Sequence, residues 1–167
     1  YAEHAAELGD DPPTAPLLFG KFTNTLVGPG EPIVIPPEAT HVDAEAELCV
    51  EIGTGGHRIP EDRALEHVRG YRCANDLSAR NIQYSESQWT RAKGFDTFCP
   101  LGDRLAPVAE LGDGSGLRVV QRLNGEVLQD GSTSDLIFSV PFLVAYISNV
   151  FSLEPGDLIL TQELCDV

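Results

Sequence analysis

The sequence is short of several features that would each indicate a class of protein. Its 167 residues include no methionine, one tryptophan, and only 11 lysines and arginines against 26 aspartates and glutamates, which gives a net charge of −15. Phosphate backbones and anionic membranes attract positive surfaces, so this charge argues against nucleic acid and membrane surfaces as partners. The sequence also lacks any run of about 18 apolar residues, so no transmembrane helix is expected.

Cysteines are few, and their spacing does not suggest a zinc site. Cys49, Cys73, Cys99 and Cys165 are too far apart for the close pairs that a zinc knuckle needs. Their apolar neighbours suit buried free thiols in a reducing compartment. No basic-then-apolar leader is seen, so we expect a cytoplasmic protein. Because the chain opens at Tyr1, we also expect residues to be missing at its N-terminus.

The remaining composition is that of an ordinary globular protein. Hydrophobic residues make up 42% and charged residues 22%, and the length suits one domain with a core. Several short strands and few helices predict a mainly β, mixed fold. Strands are predicted at 32–36, 43–53, 158–161 and on both sides of Asn124-Gly125, and helices at 1–8, 60–68 and 139–149, the last with Ser139 as N-cap.

One predicted strand carries a row of acids. Glu45 and Glu47 are two residues apart, so their side chains share a face, and a cation between them would remove their repulsion. Oxygen ligands suit Mg²⁺, Mn²⁺ or Ca²⁺. The same pattern also describes the solvated face of an edge strand, which is the commoner cause of such a row. Asp76 would complete a set of three carboxylates if the fold brought it close, but it also fits a turn residue or helix N-cap.

The few basic residues lie near chemically informative neighbours. Lys93 lies in an aromatic, glycine-containing segment at 88–102, where it would bind a carboxylate or stabilise an enolate. A surface lysine beside a core aromatic cluster fits the segment equally well. Arg80 and Gln83 follow Asp76 by four and seven residues, a spacing that aligns all three on one side of a helix. The other interpretation is a surface helix with one ion pair.

His4 and Glu7 are three residues apart and would share a helical face. A carboxylate beside a histidine raises its basicity, which suits a general base acting on water, although most such pairs are only surface contacts. The sequence contains no G-x-S-x-G motif, and the glycines at 53–56 lack the lysine and helix of a phosphate-binding loop. Serine-nucleophile and nucleotide-binding chemistry are therefore not indicated.

Several of these motifs together resemble one family, the fumarylacetoacetate hydrolase superfamily, in its shared catalytic domain. E-x-E-L, N-D-x-S-A-R and K-x-F-D-T occur in the order and spacing of that family, and the match covers almost the whole chain. The matching segments are YAEHAAE at 1–7, VGPGEPIVIP at 27–36, DAEAELCVEIG at 43–53, GYRCANDLSARNIQ at 70–83, KGFDTFCPLG at 93–102, LNGEVLQDGSTSDLIF at 123–138 and LEPGDLILT at 153–161.

The resemblance implies a fold and a set of site residues. The fold would be a rolled β-sandwich of mixed sheet with a few short helices, forming a single catalytic domain over residues 1–167 and a homodimer. A Mg²⁺ or Mn²⁺ ion, or Ca²⁺ in crystals, would be held at the positions of Glu45, Glu47 and Asp76. The implied catalytic residues are His4 and Glu7, which activate water, and Lys93; the implied substrate contacts are Arg80, Gln83, Lys21, Thr133 and Thr161.

The function implied by the resemblance is metal-dependent hydrolysis of a carbon–carbon bond in a β-diketo acid of the acylpyruvate or fumarylpyruvate type. The reaction would pass through a metal-stabilised enolate, and the presence of both His4 and Glu7 favours it. The same scaffold would serve a decarboxylase of a β-keto acid such as oxaloacetate, or a keto–enol or double-bond isomerase. A non-catalytic member that binds a metal or a small 2-oxo or 1,3-dioxo acid is the third alternative.

The sequence departs from the family pattern at three places. Lys21-Phe22 stands where the family usually has Lys-Pro, and Asn81 stands where it commonly has aspartate. After Thr161 the chain reads QELCDV, where the family continues as T-G-T-P and further strands. We therefore expect a catalytic domain that is incomplete at its N-terminus and after Thr161.

Overall fold

A computed structural model describes residues 13–161 of the chain. The helix predicted at 1–8, with His4 and Glu7, lies outside the described residues, as does the sequence after Thr161. The described part is mostly β-sheet with a few short helices, in agreement with the sequence, while the rolled sandwich stays a prediction. Within residues 13–161 no helix has the length and apolar character needed to cross a membrane.

The elements are short, and most are separated by brief loops. The strands are β1 (Leu26–Val27), β2 (Val42–Asp43), β3 (Ala46–Ile52), β4 (Val68–Asn75), β5 (Ser78–Ala79), β6 (Cys99–Pro100), β7 (Ala106–Pro107), β8 (Arg118–Leu123), β9 (Glu126–Ser132) and β10 (Leu158–Leu160). The α-helices are α1 (Arg80–Gln83), α2 (Thr90–Lys93), α3 (Val108–Leu111) and α4 (Val140–Ser148). Three 3₁₀ turns cover Thr23–Thr25, Glu61–Glu66 and Thr133–Asp135.

The largest sheet has four antiparallel strands in the order β10-β3-β4-β7, so β3 is an interior strand. Its residues are buried on both faces: Leu48 and Val50 on one, and Glu47 and Glu51 on the other. The interpretation of the acidic row as the solvated face of an edge strand is therefore wrong. Flanking strands remove the edge, and ion pairs to arginines replace the water that Glu51 would otherwise bind.

Helix α4 closes the apolar side of this sheet. Its Val140, Val144 and Ile147 pack in one cluster with Leu48 and Val50 of β3. Ser139 precedes the helix, and its hydroxyl accepts a hydrogen bond from the Phe142 amide at 3.3 Å. The predicted helix and its serine N-cap are both confirmed.

The hairpin predicted at Asn124-Gly125 is also confirmed. Strands β8 and β9 pair antiparallel around this dipeptide, whose φ angles of 53° and 89° suit a tight hairpin turn. The buried Gln129 of β9 accepts a hydrogen bond from the amide of Ala46 at 2.8 Å. This contact fixes the hairpin to the start of β3, beside the acidic residues.

Two sequence predictions fail locally. Residues 32–36 form no strand, because Pro32 and Pro36 have no amide hydrogen to donate to a ladder, and Ile33, Val34 and Ile35 are exposed instead. Residues 60–68 contain a 3₁₀ turn at Glu61–Glu66 rather than an α-helix. No side chain caps the start of this short turn, and 3₁₀ geometry is common in short segments of this kind.

The described cysteines are free, as predicted, but one of them is exposed. Cys49 and Cys99 are buried, and burial is the main cause that raises the pKa of Cys49 to about 12 and that of Cys99 to about 11. Cys73, on β4, is exposed. The prediction of buried thiols is therefore wrong for Cys73.

We expect this difference to appear in thiol labelling. In a Cys165→Ser background at pH 8, a disulfide reagent should modify one thiol, Cys73, quickly. Cys49 and Cys99 should react only after guanidinium unfolds the chain, because they are buried and protonated. A Cys73→Ser variant is the control and should lose the fast reaction. Rapid modification of three thiols in the native protein would contradict the expected burial.

Candidate active site

The backbone register brings Glu45 and Asp76 together. Strands β2 and β5 pair Asp43 with Ser78, and strands β3 and β4 pair Ala46 with Asn75. Glu45 and Asp76 lie between these two pairings, on neighbouring segments that face each other. The Asp76 amide donates a 2.9 Å hydrogen bond to the Glu45 carbonyl. The Asn75 side chain accepts a 3.0 Å hydrogen bond from the Glu45 amide. This bond holds the two segments together where the backbone pairing of the strands is interrupted.

Three carboxylates form one buried group, which we call the acid cluster: Glu45, Glu47 and Asp76. One oxygen from each side chain lies within 4.8 Å of the others. The residues are 4%, 4% and 0% exposed. Asp76 is thus not the helix N-cap that the sequence also allowed, since Ala79 has that position, and the fold supplies the third carboxylate at the pair.

Lys93 binds two members of the acid cluster. Its Nζ donates to Glu45 Oε2 at 2.6 Å and to Asp76 Oδ2 at 2.8 Å. Lys93 ends helix α2, and the preceding Ala92 packs in an apolar cluster with Phe98 that holds the helix in place. Burial by itself would lower the pKa of Lys93, but the neighbouring carboxylates outweigh it, and the net pKa is raised. The two carboxylates therefore favour the protonated form of Lys93.

The aromatic ring of Phe19 covers the Lys93 ammonium. The ring centroid of Phe19 lies 4.9 Å from Lys93 Nζ, within the range of a cation–π contact. Phe19 in turn makes an edge-to-face contact with Trp89 at 5.3 Å. Hydrophobic cover of this kind strengthens the electrostatic interactions beneath it, because it keeps water away from them.

Lys21 approaches Asp76 from another segment of the chain. Its Nζ donates to Asp76 Oδ1 and to the backbone carbonyl of Lys93, both at 2.6 Å. The Lys21 side chain is 10% exposed and the Asp76 side chain is 1% exposed. Both oxygens of Asp76 therefore contact an ammonium group, one from Lys21 and one from Lys93.

Arg80 contacts the opposite side of Glu45. Its Nη2 lies 2.8 Å from Glu45 Oε1, and its Nε donates to Asp43 Oδ2 at 2.8 Å. Its Nη1 donates to Gln83 Oε1, also at 2.8 Å, one turn further along α1. The predicted proximity of Arg80 and Gln83 is confirmed, although Asp76 lies before β5 and not on this helix.

The acid cluster fits a hard divalent cation. It offers three carboxylates at close range, and carboxylate oxygens are the ligands that Mg²⁺ and Mn²⁺ prefer. Glu45, Glu47 and Asp76 are the residues that would hold the ion. The cations around them, Lys21, Lys93 and Arg80, are suited to binding an anionic organic ligand beside it.

Two predicted substrate contacts have other surroundings. The buried Thr133 hydroxyl donates to the Gly114 carbonyl at 2.6 Å and accepts from the Leu117 amide at 2.9 Å. Thr161 follows β10, its amide donates to the Leu48 carbonyl, and its buried hydroxyl has no partner among the described residues. The described residues do not place either threonine against the acid cluster, so their role in substrate binding stays a prediction.

Sequence reasoning missed three residues around the site. Asp43, which holds Arg80, belongs to the same alternating row as Glu45, and this spacing could have indicated it. His41 extends the row toward solvent, since its Nε2 lies 3.4 Å from Asp43 Oδ1. Phe19 gave no local signal, because only the tertiary fold brings it over Lys93.

A separate open hollow lies beside α2. It has a volume of about 470 Å³, and none of the acid cluster contributes to its walls. The hollow and the acid cluster are therefore distinct features. The lining residues are Phe22, Glu86, Gln88, Thr90, Arg91, Gly94 and Phe95.

Comparison with known proteins identifies several relatives of this chain. A mitochondrial oxaloacetate tautomerase of Bos taurus is 41% identical over 163 residues, which cover 96% of this chain and 52% of the relative. The crystal structure of 5-carboxymethyl-2-hydroxymuconate delta-isomerase from Mycobacterium smegmatis matches with 40% identity and a TM-score of 0.88, covering 98% of this chain and 64% of that one. The structure of fumarylpyruvate hydrolase from Pseudomonas aeruginosa in complex with Mn²⁺ and pyruvate matches with 33% identity and a TM-score of 0.87, covering 98% and 73%.

The chain spans about half of the bovine relative and about two thirds to three quarters of the two matched structures. The family model for the fumarylacetoacetate (FAA) hydrolase C-terminal domain matches residues 1–161. Relatives of this kind are enzymes, with hydrolase, isomerase and tautomerase among their names. Because the family model matches residues 1–161, in agreement with the order of the motifs, this protein belongs to the fumarylacetoacetate hydrolase family.

Proposed function

We propose that this chain is the catalytic domain of an enzyme that stabilises the enolate of a small 2-oxo or 1,3-dioxo acid at a Mg²⁺ or Mn²⁺ site. The observation that carries the proposal is the buried acid cluster with a lysine and an arginine bonded to it. A fumarylpyruvate hydrolase of similar fold is in complex with Mn²⁺ and pyruvate, which supports both the ion and the ligand class.

In this proposal, the residues of the site have different roles. When bound, the metal ion supplies a Lewis acid that polarises carbonyl and carboxylate oxygens. Arg80 binds a substrate carboxylate, and its guanidinium is oriented by Asp43 and Gln83. The Lys93 ammonium, held by Glu45 and Asp76, stabilises negative charge that develops on the substrate.

Hydrolysis is the reaction that we propose first. His4, oriented by Glu7, accepts a proton from water, and the resulting hydroxide attacks the distal carbonyl carbon. The carbon–carbon bond then breaks, its electron pair forms the enolate, and protonation gives pyruvate beside a second carboxylic acid. The presence of both His4 and Glu7 in the sequence supports this reaction.

Tautomerisation or double-bond isomerisation is the second candidate. The tautomerase and the isomerase share 41% and 40% identity with the chain, whereas the fumarylpyruvate hydrolase shares 33%. Both reactions need the same stabilised enolate but no attacking water. Decarboxylation of oxaloacetate would also use this enolate, and a non-catalytic member would bind the acid without converting it.

We also propose a cytoplasmic homodimer. The buried free thiols Cys49 and Cys99 suit a reducing compartment. The exposed apolar side chains of Ile33, Val34 and Ile35 suit contact with a second copy.

Metal binding should stabilise the folded chain. At Mn²⁺ concentrations near 100 times the Kd, the free energy of unfolding should rise by about 2.7 kcal/mol, which raises Tm by roughly 5–10 °C. Glu47→Gln should abolish most of this shift, because it removes one carboxylate ligand. Differential scanning fluorimetry with and without Mn²⁺ measures both effects.

The matched control is Glu51→Gln, a buried glutamate on the same strand that pairs with Arg69 and Arg72 outside the acid cluster. This variant should melt at a lower temperature than the wild type but should keep the full Mn²⁺-induced shift. Equal loss of the shift in both variants would show that the acid cluster is not the metal site.

A substrate panel distinguishes the reactions. With Mn²⁺, acylpyruvates and fumarylpyruvate should lose their ultraviolet absorbance and release one pyruvate each if the protein is a hydrolase. An isomerase or tautomerase should change the absorbance of its substrate without releasing pyruvate, whereas a decarboxylase should release pyruvate and CO₂ from oxaloacetate. No conversion of any member of the panel would favour the binding protein.

The assignment of His4 is tested separately. His4→Ala should lower kcat for hydrolysis by about 10² to 10⁴-fold, the usual contribution of a general base. Mn²⁺ binding should be unchanged, since His4 is not among the proposed ligands. Undiminished hydrolysis in this variant would remove the water-activating role from His4 and Glu7.

A further inference from the structure

Thr97 has a backbone conformation that threonine rarely adopts. Its φ angle is 68°, in the left-handed region, where a β-branched side chain crowds its own backbone. Thr97 is the third residue of a turn in which the Phe98 amide donates a 3.2 Å hydrogen bond to the Phe95 carbonyl. Glycine or asparagine is usual at this position of a turn when φ is positive. The chain therefore keeps a strained residue where a common alternative would relieve the strain.

The Thr97 side chain makes a contact that glycine could not make. Its Oγ1 accepts a 2.8 Å hydrogen bond from the Val34 amide. Val34 belongs to the segment at 32–36, which forms no strand and exposes its apolar side chains. The Thr97 amide also donates to the Asn24 carbonyl at 3.2 Å. One residue thus joins its loop to two segments that are distant in the sequence.

The loop that Thr97 fixes connects Lys93 to the neighbourhood of Asp76. Lys93 ends α2 four residues before Thr97, and its ammonium bonds to Asp76. At the other end of the loop, the Phe98 carbonyl accepts a 3.2 Å hydrogen bond from the amide of Leu77, the residue after Asp76. A change in the turn at Thr97 would therefore act on both ends of this connection.

The same loop is tied to Lys21. The Asn24 side chain donates to the Gly94 carbonyl at 3.1 Å and to Asp96 Oδ1 at 2.6 Å, and Asn24 follows Lys21 by three residues. The sequence contains two lysines, Lys21 and Lys93, and both bond to Asp76. Chemical labelling of lysine side chains therefore reports on this site alone.

We propose that Thr97 is a positioning residue whose hydroxyl holds the loop at 93–98 in one conformation and thereby sets the places of the Lys93 and Lys21 ammonium groups at the acid cluster. Strained residues persist only where surrounding contacts over-determine them, and the hydrogen bonds to Val34 and Asn24 are such contacts. The effect on catalysis rests on the proposed function, whereas the effect on the two lysines does not.

Three substitutions separate the hydroxyl from the strain. Thr97→Val removes the hydrogen-bond acceptor and keeps the branched shape, Thr97→Gly removes both the acceptor and the strain, and Thr97→Ser keeps the hydroxyl. The glycine variant keeps the test possible if the valine variant fails to fold. The matched control is Arg58→Gly, which relieves a φ angle of 54° at a residue whose amide donates to the Ser148 carbonyl at the end of α4.

Acylation of the two lysines is the first measurement. Acetic anhydride at neutral pH should modify Lys21 and Lys93 of the full chain slowly, because both are buried and ion-paired, and mass spectrometry of peptides reads each site separately. Thr97→Val and Thr97→Gly should react about three- to tenfold faster, as expected for the loss of one hydrogen bond. Thr97→Ser and Arg58→Gly should react at the rate of the wild type.

Kinetics and melting are the second measurement, with Mn²⁺ and the substrate that the panel identifies. Thr97→Val and Thr97→Gly should lower kcat by about three- to tenfold with little change in KM, because Lys93 acts on charge that develops in the transition state. Thr97→Ser should keep the kcat of the wild type. Thr97→Gly should also keep the Tm of the wild type, because relief of strain offsets the lost hydrogen bond, so activity falls without a loss of stability.

Three results would overturn the inference. One is acylation of Thr97→Val and Thr97→Gly at the rate of the wild type. The second is a Thr97→Ser variant that is as impaired as Thr97→Val. The third is a fall in kcat that follows the fall in Tm across the variants, which would make the role of Thr97 purely structural. A wild-type protein that converts no substrate would contradict the proposed function alone, and the acylation rates would still decide the role of Thr97.

Discussion

The site depends on the burial of Glu45 and Asp76 opposite each other, with Lys93 between them. Buried carboxylates are costly unless they are paired and hydrogen-bonded, so this arrangement requires a cation at a fixed position. Lys93 meets that requirement with contacts of 2.6 and 2.8 Å. Helix α2 is too short to hold Lys93 by itself, and its placement comes from Ala92 and Phe98 in the neighbouring apolar cluster.

The same principle explains how β3 can be buried on both faces. One face packs against α4 through Leu48 and Val50 and supplies the hydrophobic core. The other face carries acids, and each end of it is neutralised by basic residues. Glu51 is paired with Arg69 and Arg72 at one end, and Glu45 is paired with Lys93 and Arg80 at the other. Among the described residues, three carboxylates come together only at the second end, which makes that end the candidate metal site.

Much of the fold could be predicted from local sequence. The Asn124-Gly125 hairpin and the helix after Ser139 follow from turn and capping chemistry, which acts between near neighbours. The strand predicted at 32–36 does not form. Its β-branched residues favour a strand, but the prolines at both ends cannot donate backbone hydrogen bonds to a neighbouring strand. The acidic strand was located correctly, but its burial could not be predicted. The alternation of apolar and acidic residues is the same whether the acidic face lies in solvent or is covered by other parts of the protein.

The candidate site could also be predicted only in part from the sequence. The motifs and their spacing named Glu45, Glu47, Asp76, Lys93, Arg80 and Gln83, and resemblance to a family gave them roles. Asp43 and Phe19 were found only from the structure, since the orientation of Arg80 and the cover over Lys93 depend on contacts between distant segments.

The sequence by itself determined the Asn124-Gly125 hairpin, the helix after Ser139, the family and the identity of the acidic residues, because each depends on local spacing. The tertiary structure decided that the acidic residues of β3 are buried, that Asp76 meets Glu45, and that Lys21, Lys93 and Arg80 form ion pairs with these two carboxylates. Those facts depend on the register of β2 and β3 against β5 and β4 and on the packing of α2, which join residues about 20 to 70 positions apart. Charges so far apart along the chain acquire a shared electrostatic environment only when folding removes the water between them.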